Sequence, residues 1–111
     1  MVTITDKETN KTYKLEFDRE AVKHAESKGF KWQDAANGEK PVTSTSDLFF
    51  YAFHKNHPEM TQEETDHILF DKMGGIPDGL LADLIDMYTL PMRSLILQDA
   101  ERKNSPITVT L

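Results

Sequence analysis

The chain contains no cysteine, one tryptophan and no apolar run longer than six residues. Without cysteine there is no disulfide framework, no thiol nucleophile and no cysteine-ligated zinc or iron–sulfur centre, and an intracellular setting is the economical expectation. Without a long apolar run no window approaches the ~20 residues of a membrane span. The opening MVTITDKETNKTYKLEF lacks the apolar stretch of a secretory signal and the arginine-rich pattern of a transit peptide, so a cytoplasmic protein is expected. Positive charge is also scarce. Thirteen basic against nineteen acidic side chains leave a formal charge of −6, the wrong sign for a phosphate-tracking surface, and nucleic acid is not an expected partner.

The 111 residues suffice for one domain with a single modest core. Its densest apolar stretch is Leu48–Phe53, within DLFFYAFHKNHP. At about 100° per residue these side chains cover most of a helical circumference, which predicts a helix enclosed by other elements. Ser44 with Asp47 resembles a capping box that would start this helix near Thr45, and His57 before Pro58 should stop it at about Asn56. Leu48, Phe49, Ala52 and Phe53 fall within about 140° of arc and are assigned to the core. Phe50 and Tyr51 lie outside that arc and are the candidate partner-binding residues.

Around this helix the pattern predicts an α+β domain over residues 1–111. Residues 1–17 form a β-hairpin, 18–103 a bundle of four to five helices, and 104–111 either a third strand or a loose tail. Val2 and Ile4, then Tyr13, Leu15 and Phe17, alternate with polar residues as half-buried strands do, and the polar stretch from Asp6 to Lys11 connects them. Asp18 sits where a helix N-cap should and Gly29 just past the helix end, bracketing Arg19–Lys28. A short helical turn is expected around Gln33–Ala36, with Asn37-Gly38 as the turn after it. Thr61 and Glu64 form a capping box for a helix through Ile68 and Leu69 that Gly74-Gly75 ends. Pro77 opens a further helix with the stripe Leu80, Leu81, Leu84, Ile85 and Tyr88. Pro91 either kinks that helix or begins another carrying Met92, Leu95 and Ile96. Ile107, Val109 and Leu111 alternate with threonines.

Nothing in the pattern points to catalysis or a cofactor. His54, His57 and His67 are the clustered potential metal ligands, but no HExxH or comparable spacing is present. The carboxylate pairs Asp83/Asp86 and Glu63/Glu64 lie opposite apolar stripes, where they are solvated. Gly74-Gly75 lacks the surroundings of a phosphate loop. The aromatics Phe49, Phe50, Tyr51 and Phe53 lack the interleaved arginines of a base-stacking platform.

The order TYKLEFDREAVKHAESKGF, LFFYAFHKNHP, ADLIDMYTLPMRSL resembles a family of small proteins encoded in the tail-gene clusters of phages and prophages of Gram-positive bacteria. These look like tail assembly chaperones. The matching features are Phe17-Asp18-Arg19, Glu26, Gly29-Phe30, Leu48-Phe49, Ala52-Phe53, His57-Pro58 and Met87-Tyr88, spanning Tyr13 to Leu95. The resemblance implies a non-enzymatic protein of the host cytoplasm that keeps the long, helical tape-measure protein soluble and helps major tail protein polymerise around it. It also allows a homo-oligomer. The alternative is a structural adaptor or tail-completion protein retained in the virion.

Overall fold

A computed structural model gives the fold and describes residues 1–93, 95 and 106–110. It is an α+β arrangement in which an antiparallel hairpin packs on a helical bundle. Strands β1 (Val2–Asp6) and β2 (Lys11–Leu15) pair in the register Val2↔Leu15, Ile4↔Tyr13, Asp6↔Lys11. Cross-strand partners share a face, so the alternation in both strands collects Val2, Ile4, Tyr13 and Leu15 on the side turned to the helices, and Leu15 is fully buried. In the turn the Asp6 carboxylate accepts the Glu8 N–H at 2.9 Å, and Asn10 takes a left-handed φ of 59°. The sheet of the described residues has two strands, and 106–110 form no third. Leu111, which shares that expectation, lies outside the described residues, as does Ile96 of the expected continuation after Pro91.

Helix α1 (Arg19–Ser27) has the ends its sequence announces. Asp18 Oδ1 accepts the Ala21 N–H at 2.8 Å, a cap worth about 0.5–2 kcal/mol, and Gly29 adopts φ +83° just past the last turn. Phe30 folds back, its N–H donating to the Ala25 carbonyl at 3.2 Å. Helix α2 (Trp32–Asn37) is one and a half turns closed by Gly38 in the left-handed region.

Helix α3 (Pro41–His54) is the central element. It begins four residues before the expected Thr45, because Pro41 occupies the first turn, where its missing N–H costs nothing. The Ser44–Asp47 box does not form; Ser44 is inside the helix and its hydroxyl donates to the Glu39 carbonyl at 2.9 Å. Leu48, Phe49, Ala52 and Phe53 are fully buried, as the wheel requires.

Thr61 and Glu64 make both halves of the capping box that opens α4 (Gln62–Asp66). The helix then widens into a π-helical segment, His67–Lys72, that the sequence pattern does not announce. Met73 N–H bonds the Ile68 carbonyl five residues back, and Gly74 and Gly75 end the segment with φ of 73° and 125°. Helix α5 (Asp78–Arg93) carries Pro91 inside it, so the described chain does not begin a new helix there. Its Leu84 and Tyr88 are buried, with Leu80, Leu81 and Ile85 packed at the edge of the core.

Candidate partner-binding surfaces

The three histidines His54, His57 and His67 are sent to three places. The His54 ring stacks on His24 of α1, with centroids 3.9 Å apart and planes 2° from parallel. Burial, then the neighbouring His54 and Lys28, hold His24 below the ordinary imidazole value. His57 turns toward the hairpin, where its Nε2 accepts the Lys14 N–H at 3.0 Å, a role only an unprotonated ring nitrogen can fill. His67 pairs with Asp71 at 2.8 Å, one turn along on an exposed face. Among the described residues no group of three His, Asp or Glu side chains is placed to hold a metal.

The carboxylate pairs are likewise engaged separately. Glu64 closes the α4 cap, and Asp86 pairs with Arg93 at 2.5 Å. One buried titratable group stands apart, the Tyr88 hydroxyl, which has no hydrogen-bond partner among the described residues and is pushed up to about 12 by burial. It sits among Phe17 and Phe30, whose rings meet Tyr88 edge-on at 4.9 and 5.4 Å. A phenol so placed fills core volume between α1 and α5.

Phe50 and Tyr51 lie on one side of α3, as the wheel predicts, but in different settings. Tyr51 is half-buried and packs on Phe30 at 5.5 Å and His24 at 5.9 Å. Burial, then the Asp47 carboxylate, raise its hydroxyl above the ordinary phenol value. Phe50 is also half-buried, with its ring 5.2 Å from that of Tyr51. Between them, Tyr51 is the side chain the core holds in place.

A second apolar surface emerges only from the tertiary structure. Helices α2 and α5 leave an open cleft of about 630 Å³ walled by Trp32, Ala82, Ile85 and Met92, with Asp86 and Arg93 on its rim. Arg93 also bonds Thr89 Oγ1 at 3.0 Å, which fixes that rim. Ile85 marks the edge of the α5 stripe, so the sequence signals an apolar residue there but not which neighbour leaves it open. Leu90 adds a nearby exposed apolar side chain, 58% accessible. A further cleft of about 800 Å³ between the hairpin and α4 is lined by Tyr13, Met60 and Ile68 but ringed by Lys11, Glu63 and Lys72. The charged ring makes this cleft less suited to an apolar side-chain row than the α2–α5 cleft, whose lining is less polar. No described helix is long and apolar enough to cross a membrane.

Neither the curated proteins nor the solved structures provide a match to this chain. One family does match, over residues 1–111, and its description is Domain of unknown function (DUF5055). The chain therefore belongs to the DUF5055 family.

Proposed function

We propose that this DUF5055 protein is a non-catalytic, phage tail assembly chaperone-like protein that binds the tape-measure protein and assists tail-tube assembly in the cytoplasm of the bacterial host. The order of motifs from Tyr13 to Leu95 motivates the reading. The observation that carries it into three dimensions is the α2–α5 cleft, an exposed trough of apolar side chains with a methionine in its wall. Such a trough takes the apolar row of an amphipathic helix, and an unbranched thioether adapts to successive, non-identical segments of a long helical client. The net charge of −6 keeps a binder of apolar helices from associating with itself through general stickiness. Phe50 and Tyr51 are the second place where this chain would meet another, and a contact with major tail protein or a homo-oligomer belongs to the same proposal.

The test is co-expression with the tape-measure protein encoded nearby. Co-purification that Ile85→Asp abolishes and Phe50→Asp leaves intact assigns the client to the α2–α5 cleft; the reverse assigns it to the aromatic side of α3. Failure of the wild-type chain to recover the tape-measure protein, together with its presence in purified virions, sinks the chaperone reading in favour of the retained adaptor.

A further inference from the structure

The two edges of the hairpin differ in a way that goes beyond the chaperone reading and does not depend on it. Toward the end of β2 the outward groups are occupied, while those of Thr12 meet none of the described residues. Lys14 N–H donates to His57 Nε2, the Lys14 carbonyl accepts from Asn56 Nδ2 at 3.3 Å, and Glu16 N–H donates to the Ala52 carbonyl at 2.9 Å. Since Lys14 points away from β1, antiparallel alternation makes its opposite residue, Thr3, and then Thr5, point away from β2. No described residue bonds the outward backbone groups of Thr3 or Thr5. The strand VTITD has no proline, no bulge and no lysine, and its one charged residue, Asp6 at the end, is paired with Lys72.

A segment with the complementary pattern exists in the same chain. Ile107-Thr108-Val109-Thr110 repeats the alternation of Val2-Thr3-Ile4-Thr5, and Ile107 and Val109 are 71% and 54% exposed. Placed antiparallel on β1 with Val109 opposite Ile4, it sets Thr108 against Thr5 and Thr110 against Thr3. The threonines then form the hydrogen-bonded pairs on the solvent face, and Val109 extends the apolar face. That face has room for it, since a cleft of about 270 Å³ opens beside β1 between Ile4, Tyr13, Ile68 and Met73. The twelve residues 94–105, which reach about 40 Å when extended, are enough chain to carry the segment to a neighbouring molecule.

We propose that β1 is a strand-acceptor edge and that its occupant is residues 107–110 of a second copy of this chain. The exchange is reciprocal, which closes a two-fold dimer and leaves neither acceptor edge open. The experiment is sedimentation velocity over roughly a hundredfold range of protein concentration, paired with amide hydrogen exchange. The expected result is a monomer–dimer equilibrium in which the Thr3 and Thr5 amides become protected as the dimer forms. Thr5→Pro, which removes an N–H the hairpin does not use, and Val109→Lys, at an exposed position, should each abolish the dimer. A mixture of the two variants should recover a heterodimer through the one remaining exchange. A monomer at every concentration overturns the inference, whether the two amides stay unprotected or are covered by the chain's own tail. So does a dimer that Val109→Lys leaves intact, which would place another surface, such as β1 against β1, at the interface.

Discussion

The two long edges of one small hairpin are finished in opposite ways. The β2 edge is sewn to the end of α3 by His57, Asn56 and the Ala52 carbonyl, while the outward groups of Thr3 and Thr5 on β1 meet none of the described residues. Both strands have the same length and the same alternation, so the difference does not come from strand propensity. It comes from where the longest helix ends. Helix α3 delivers Phe53 under Tyr13 and its trailing residues past the β2 edge, whereas β1 meets α5, which makes no hydrogen bond to its outward groups. Stability in the hairpin should therefore be asymmetric, concentrated on the β2 side, with β1 left for association.

The largest effect should follow from cutting the anchor itself. Phe53 is fully buried, against Tyr13 at 5.4 Å, Phe49 at 4.9 Å and His57 at 5.9 Å. Phe53→Ala should cost about 3–5 kcal/mol, a large share of the ~5–15 kcal/mol that holds a small domain together, and chemical denaturation will measure it. A loss below about 1 kcal/mol would mean that α3 does not support the hairpin.

One level down, His57→Ala removes the acceptor for Lys14 N–H together with edge-on contact to Tyr13 at 5.4 Å. The expected cost is about 1–2 kcal/mol, from one hydrogen bond and one aromatic pair. Exchange of the Lys14 amide should quicken selectively, turning the β2 edge locally into a copy of β1. Unchanged exchange would show that the ring nitrogen does not close the edge.

The polar end of the same seam responds to pH. Lys55 Nζ lies 2.8 Å from Glu16 and 3.0 Å from Asp18. The Lys55 hydrogen bond, helped by Asn56, holds Glu16 below the usual carboxylate range; Asp18 is held down first by the Ala21 N–H and then by Lys55. Carboxyls depressed in the folded state stabilise it above their unfolded values, and that contribution is lost as pH falls below the ordinary carboxylate range through the folded values. Lys55 is raised by the same partners, so its contribution disappears as pH climbs through the folded lysine value. Lys55→Met should flatten the acid limb of a stability–pH curve, more through Glu16 than through Asp18, which keeps its helix cap. An acid limb identical to the parent's would show that the cluster is solvated.

Much of the architecture was legible because its signals are local. Asp18 and Gly29 bracket α1 within one helix length, and Thr61 with Glu64 opens α4 by contacts three residues apart. The start of α3 differs from the expected Thr45 because two local signals compete, and Pro41, preset for a first turn, outranks a Ser44 whose hydroxyl finds Glu39 instead. The β2 seam joins Lys14 to His57 across 43 positions, and no window of sequence contains both. The π-helical widening at His67–Lys72 and the α2–α5 cleft are likewise products of packing. On α3 the wheel places Leu48, Phe49, Ala52 and Phe53 in the core, and all four are fully buried, while Phe50 and Tyr51 are half-buried. The wheel had no means of knowing that Phe30 and His24 would come to Tyr51 from another helix and its following turn.

The smallest effect on stability is the most informative about β1. Thr3 is exposed, its backbone groups are outside the ladder, and Thr3→Lys places a charge on solvent, so monomer stability should stay within about 0.5 kcal/mol of the parent. A lysine on an edge strand is nonetheless one of the devices by which sheets discourage the addition of another strand. The substitution therefore separates two quantities that Phe53→Ala changes together. Denaturation at low protein concentration should find the parent and Thr3→Lys alike. Sedimentation at high concentration should find the parent associating and the variant not. If instead Thr3→Lys destabilises the monomer by more than about 1 kcal/mol, the β1 edge is packed against its own chain and the asymmetry between the two strands is not real.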